Sequence, residues 1–142
     1  MSALFERLES RQMMNTYTVN SVADGGTGSL RWAIGQANAN AGADTINFNI
    51  PGGGLATITP ASQLPDITGP TTINGYSQPG SSPNTLPTGD NAVLRVRLDG
   101  TNVADALRVT GGTTTIRTTF PSTRWPNGAN SSVCSTRASR AA

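Results

Sequence analysis

Histidine and lysine are both missing from this chain, and cysteine occurs once, at Cys134. Without histidine the commonest neutral-pH acid/base group and metal ligand is gone, which argues against a zinc centre or a Ser-His-Asp mechanism. A single cysteine permits neither an intrachain disulfide nor a thiolate metal cluster. It does not fix the compartment, because exported proteins can lack disulfides. All the positive charge is arginine, a bias that a GC-rich gene would produce. Acids are missing from the last stretch: residues 1–117 hold seven Arg against eight Asp or Glu, a net of −1, whereas 118–142 hold three Arg and no acid. The basic balance therefore belongs to the tail, and the body offers nucleic acid no positive surface. No apolar run approaches the length of a membrane span.

Glycine, threonine, asparagine and serine are plentiful, while aromatics make up only 5% of the chain. This composition suits short strands joined by many turns better than a helical bundle. Thr16-Tyr17-Thr18-Val19 alternates and is β-prone, predicting a first strand. Asp24-Gly25-Gly26-Thr27-Gly28 forces a loop. Ser29 then caps a helix expected at about 29–40, with Leu30, Ala33, Ile34 and Ala37 at i, i+3, i+4 and i+7. Asn38, Asn40 and Gly42 are expected to stop it, Gly42 in the left-handed conformation. From residue 44 onward brief β-prone bursts lie between Gly/Pro/Asn turns. They include Thr45–Ile50, Ala56–Thr59, Thr71–Gly75, Leu94–Gly100, Leu107–Val109 and Thr114–Arg117.

Three of these bursts share a pattern. Ile73-Asn74-Gly75 aligns with Leu98-Asp99-Gly100, and Thr114-Thr115-Ile116-Arg117 repeats Thr71-Thr72-Ile73-Asn74. Recurrence at such intervals points to repeat architectures, although β-turn-β units also recur in sandwiches, so the bursts alone leave both open. A longer string favours the first. Gly28-Ser29-Leu30-Arg31-Trp32-Ala33-Ile34, then Ala37-Asn38 and Gly42-Ala43-Asp44-Thr45-Ile46, resembles the opening of the CSLREA-type domains that begin many bacterial pectin-lyase-like surface proteins. Leu64-Pro65-Asp66-Ile67 and Thr71–Gly75 resemble that family's first full coil. The family often has Cys in place of Gly28 and Glu or Gln in place of Trp32.

The resemblance covers residues 16–117. It implies an all-β fold, the start of a right-handed parallel β-helix (solenoid) whose first coil is closed by the helix at about 29–40. In such an arrangement the helix shields apolar side chains and unpaired backbone groups that would otherwise promote aggregation. It divides the chain into a lead at 1–14, a cap with first coils at 15–117, and a tail at 118–142. Within the lead, Leu8-Glu9-Ser10-Arg11-Gln12-Met13-Met14 resembles the L-E-P-R-x-L-L element of some large exported bacterial proteins, departing from it at Ser10, Met13 and Met14. A charged, frayed terminus is the alternative reading. The tail, rich in Ser, Arg, Ala and Thr with no alternation, reads as unstructured or out of frame.

No catalytic, cofactor-binding or metal site is expected. A glycosidase needs two carboxylates across the sugar bond, and Asp24, Asp44, Asp66, Asp90, Asp99 and Asp105 are scattered among turn-like settings. Asp24-Gly25-Gly26 and Asp90-Asn91 lack calcium-loop spacing. Gly52-Gly53-Gly54 lacks the Lys-Ser/Thr and helix of a phosphate loop. Trp32, Tyr76 and Trp125 are too dispersed to form a stacking platform. The resemblance implies a non-catalytic, secreted or cell-surface module, structural or adhesive, with a polysaccharide or cell-surface ligand and self-association through an uncapped last coil. The alternatives are the amino end of a polysaccharide lyase or glycosidase, and a truncated gene fragment.

Overall fold

A computed structural model describes residues 13–89, 91–117 and 137–138. Strand β1 (Thr16–Val19) leads through a loop into helix α1 (Leu30–Ala39), then β2 (Asp44–Phe48), β3 (Ala56–Ile58), β4 (Thr71–Asn74) and a 3-10 turn at Gly75–Ser77. Strands β5 (Val96–Leu98), β6 (Thr114–Arg117) and β7 (Arg137–Ala138) follow. The larger sheet has the order β1-β2-β4-β6-β7, and β3 pairs with β5 in a separate sheet. Every pairing is parallel except that of β7, which runs antiparallel to β6 with Thr114 opposite Ala138 and Thr115 opposite Arg137.

Period-2 alternation decides which side chains go inward. Ile46 stands opposite both Tyr17 and Ile73, and Ile73 opposite Ile116, so three isoleucines and a tyrosine form one inward row. Val19 and Phe48 form a shorter row beside them. The other faces of these strands carry Thr16, Thr45, Thr72 and Thr115 in one row, and Thr18, Asn47, Asn74 and Arg117 in the next. In the smaller sheet Ile58 meets Leu98 and Ala56 meets Val96, and all four belong to the same apolar core.

The helix forms where its apolar stripe recurs. Ser29 is extended and its Oγ accepts from the Trp32 N–H at 3.2 Å, satisfying one of the unpaired amides of the first turn. Leu30, Ala33, Ile34 and Ala37 are buried in the same apolar cluster as the strands. Burying Leu30 and Ile34 contributes about 1.5–3 kcal/mol each, more than the propensity of so short a helix provides.

Two expectations are corrected here. The fold is not an all-β, right-handed parallel β-helix with a helical lid; among the described residues it is mixed α/β, six strands in parallel pairing, a seventh antiparallel at the edge, and one α-helix. The helix supplies four of the buried apolar residues of the common core and packs against β1 and β2, at one edge of the larger sheet. The strands that the sequence pattern aligned also do not all fall in one sheet. Those carrying Ile73 and Leu98, which the sequence pattern aligned, lie in different sheets, and Leu98 pairs with Ile58 instead. The second correction concerns the helix end. The cap is Asn40 in an extended conformation, its N–H bonded to the Ala37 carbonyl at 3.3 Å. Gly42 is not left-handed. It is small because a Cβ there would strike the Met13 carbonyl. Asn38 does not stop the helix either. It lies inside α1 and braces it, its Nδ2 donating to the Asp66 carbonyl at 2.7 Å and its Oδ1 accepting from the Thr68 N–H at 3.1 Å.

Among the described residues no helix is long and apolar enough to cross a membrane. The export-associated element (apart from Met13 and Met14), Cys134, Trp125, Asp90 and most of the tail lie outside the described residues.

Candidate functional site

The described surface has a groove of about 470 Å³ where the chain leaving β1 passes the chain entering β3. Asn20, Ser21 and Val22 form one wall; Ile50, Pro51, Gly52, Gly54, Leu55, Ala56 and Thr57 form the floor and the other wall.

Both walls are anchored by hydrogen bonds. The Asn20 and Ser21 N–H groups both donate to the Gly28 carbonyl, at 2.9 and 3.1 Å, and Ser21 Oγ accepts from the Ala23 N–H at 3.1 Å. Gly28 has φ +84°, and a Cβ there would run into the Asn20 side chain, so glycine is what allows the first wall to close up. On the other side, Gln78 is 2% exposed and behaves like a strand residue supplied by a side chain. Its Oε1 accepts from the Ile50 N–H at 2.8 Å and its Nε2 donates to the Ile50 carbonyl at 2.7 Å. One residue earlier, Ser77 Oγ accepts from the Phe48 N–H at 2.7 Å and donates to the Asn74 carbonyl at 2.6 Å. Beyond this fixed base the lip turns through Gly52 and Gly53, both with positive φ, and exposes Leu55. Val22 is exposed on the facing wall. Gln78 and Ser77 were not legible as functional supports, because a lone Gln or Ser after a turn carries no pattern.

No titratable side chain lines this groove. It presents amide, hydroxyl and hydrocarbon, which suit contact and hydrogen bonding but supply no general acid, base or nucleophilic carboxylate.

The aspartates are engaged elsewhere, each in its own setting. Arg31 lays its guanidinium across the loop after β1. Nη2 donates to Asp24 Oδ1 at 2.8 Å and to the Ser62 carbonyl at 2.8 Å, Nε to the Asp24 carbonyl at 3.0 Å, and Nη1 to the Gln63 carbonyl at 2.8 Å. The hydrogen bond from Arg31 holds the Asp24 carboxyl below its ordinary range against some desolvation, helped by the Ala61 N–H and by the arginine charge. Asp99 forms a local turn: the Thr101 hydroxyl donates to its Oδ1 at 2.6 Å and the Thr101 N–H at 3.1 Å, and these bonds lower its pKa. Asp66 lies 3.7 Å from Arg108. Asp44 is buried, accepting at Oδ1 from the Asn15 N–H and Asn40 Nδ2. The Asp105 N–H donates to Gln63 Oε1 at 3.3 Å. Among the described residues no group of three His, Cys, Asp or Glu side chains is placed to hold a metal ion.

Trp32 packs edge-to-face on Tyr17, with ring centroids 6.1 Å apart, and supports the core instead of a ligand platform. Gly52 and Gly54 line the groove, and among the described residues no helix starts at this turn to aim at an anion. In comparisons with known proteins, no family model, no curated protein and no solved structure matches this chain.

Proposed function

We propose that this chain is a non-catalytic binding module of an exported or cell-surface protein, structural or adhesive in role, which holds a neutral polysaccharide segment in the groove between Asn20–Val22 and Ile50–Thr57. The observation that supports this most is the make-up of the groove: its lining joins hydroxyls and amides to exposed Val22 and Leu55 and contains no carboxylate. Sugar rings present hydroxyls at their edges and C–H groups on their faces, and a site of this mixed kind matches both. Glycoside cleavage by the two-carboxylate route would need paired acids at the bond, whereas the described aspartates hold loops and turns together. The assignment to the cell exterior rests on the resemblance of residues 16–117 to CSLREA-type surface domains.

Retention of the full chain on insoluble xylan, mannan, chitin and cellulose, read by depletion from solution, tests this. Retention on at least one is expected. Leu55→Ala is expected to weaken it by about tenfold, the loss typical of a contact worth a little over 1 kcal/mol. Retention on none of the four, or release of reducing ends during incubation, would overturn the proposal.

A further inference from the structure

Arg31 and the pair Arg95 and Arg97 use their guanidiniums in opposite ways. Arg31 donates through Nε, Nη1 and Nη2 to Asp24, Ser62 and Gln63. Among the described residues neither Arg95 nor Arg97 donates a side-chain hydrogen bond. Arg97 Nη2 lies 4.0 Å from Asp99 Oδ2, too far for one, and Asp99 Oδ1 is taken by Thr101. In both arginines the Nε is buried without an acceptor, while the unbonded Nη groups reach the surface.

The local structure places the pair. Val96 and Leu98 are buried, so Arg95, Arg97 and Asp99 alternate outward beside them, with Arg97 opposite Thr57. The chain entering β5 is fixed on both sides. The Arg95 N–H donates to Ser81 Oγ at 3.1 Å, and the Arg95 carbonyl accepts from the Ala56 N–H at 2.8 Å. Gly80, with φ +85°, lays bare backbone against the arginine stem; a Cβ there would stand 3.5 Å from Arg95 Nε and 3.8 Å from its Cγ. The Ser81 N–H closes this turn on the Gln78 carbonyl at 3.0 Å, and the Gln78 side chain clamps Ile50. Ile50, Ala56 and Thr57 all line the groove. The arginines are thus built onto the groove's own wall, one strand beyond β3.

We propose that Arg95 and Arg97 bind an isolated oxyanion substituent, a carboxylate or a sulfate ester, on the polysaccharide whose neutral segment occupies the groove. This rests on the groove reading and adds the chemistry at its border. Planar guanidinium forks match such oxyanions through paired N–H donors, and a stem held at Nε leaves little freedom to lose. Folding does not account for the pair: neighbouring like charges repel, and each buried Nε without an acceptor is a cost. The number of charges selects the ligand. Residues 1–117 carry a net of −1, and Asp99 stands next in the same outward row. A nucleic acid or a polyuronate, charged at every unit, needs a run of cations. Here it would meet two, followed by an acid. A neutral chain with an occasional charge needs no more.

Depletion of the full chain at low salt by xylan, mannan, chitin and cellulose, each neutral, lightly carboxymethylated and lightly sulfated, tests this. At least one acidic form is expected to be held about tenfold more tightly than its neutral parent, as a charge-assisted hydrogen bond allows. The better of the two substituents names the oxyanion. The preference is expected to vanish near 1 M salt, where charges are screened beyond about 3 Å. Arg95→Gln/Arg97→Gln is expected to lose the preference and to hold the neutral polymer as the wild type does. Arg95→Lys/Arg97→Lys keeps the charge without the fork and is expected to lose part of it. Arg108→Gln/Arg117→Gln removes the same charge from exposed positions elsewhere and is expected to keep it. Equal binding of neutral and acidic forms by the wild type would overturn this inference and leave the groove reading standing. Equal losses from the two glutamine doubles would overturn it as well, since net charge would then account for the preference. Retention on none of the polymers would overturn both.

Discussion

The two parallel sheets are built by the same pairing rule and end up with different character. In the larger one, Tyr17, Ile46, Ile73 and Ile116 stack strand upon strand, and α1 packs at the β1 and β2 end of the row with Leu30, Ala33, Ile34 and Ala37. In the smaller one, β3 and β5 share three residue pairs. The chain between them includes an excursion, from Ser82 to Val93, closed by an antiparallel bridge between those two residues. That excursion is held by its own polar side chains. Asn84 Oδ1 accepts from the Leu86 and Asn91 N–H groups, and Asn91 bonds Thr85 through both its amide atoms. An apolar row sandwiched on both sides resists change cooperatively, whereas a loop bonded to itself opens locally.

The contrast is sharpest for deletions in the core. Ile46 is fully buried between Tyr17 and Ile73, so Ile46→Ala is expected to cost about 3–5 kcal/mol, near the top of the range for such truncations. Leu98 has a strand partner, Ile58, on one side only, so Leu98→Ala is expected at about 2–3 kcal/mol. Urea denaturation of both variants checks the order; a larger loss at Leu98 would remove the distinction between the sheets. Gln78→Ala comes next. It strands the Ile50 N–H and carbonyl in a buried position and is expected to cost about 2–3 kcal/mol, within the usual penalty for unpaired buried groups. Gln78→Glu keeps the acceptor for the N–H but sets a carboxylate oxygen against the Ile50 carbonyl, so it is expected to destabilise at neutral pH and to recover in part on acidification.

What could be read from the residues follows the length scale of the interaction. The i, i+3, i+4, i+7 stripe and Ser29 placed α1 correctly, because helix signals are local. The likeness of Thr71–Asn74 to Thr114–Arg117 also had a structural cause, since the two are hydrogen-bonded neighbours. Leu98-Asp99-Gly100 matched Ile73-Asn74-Gly75 equally well and misled, because a three-residue strand and turn does not encode which sheet it joins. The groove was not legible at all. Its walls are made by a glycine carbonyl and by a glutamine reaching from after β4, contacts between segments remote in sequence. The individual partners of the described acids were not legible either: Arg31 reads as one charged position of a helix but closes two loops.

That closure predicts a pH dependence on the helix side of the molecule. The folded Asp24 carboxyl titrates below its ordinary value of 3.8, so its contribution is complete above that value and is lost as pH falls through the folded pKa. Urea midpoints of the wild type and Asp24→Asn are therefore expected to differ at neutral pH and to converge as pH falls below 3.8 and through the lowered folded pKa. A gap that persists at the acid end would mean that the loop, and not the ion pair, sets the difference.

The smallest effect is expected in the self-bonded excursion. Asn84→Ala removes the acceptor for two backbone N–H groups and the donor to the Gly89 carbonyl, but all of these lie in exposed chain that water can satisfy. The global cost is expected to stay within about 1 kcal/mol, as for other changes away from the core. Amide exchange at Leu86 and Asn91 should nevertheless accelerate strongly while that at Ile46 and Ile73 stays unchanged, because local opening need not pass through global unfolding. If protection at the isoleucine row fell together with that at the loop, the excursion and the helix-backed sheet would be one cooperative unit, and the difference between the two sheets would be one of shape alone.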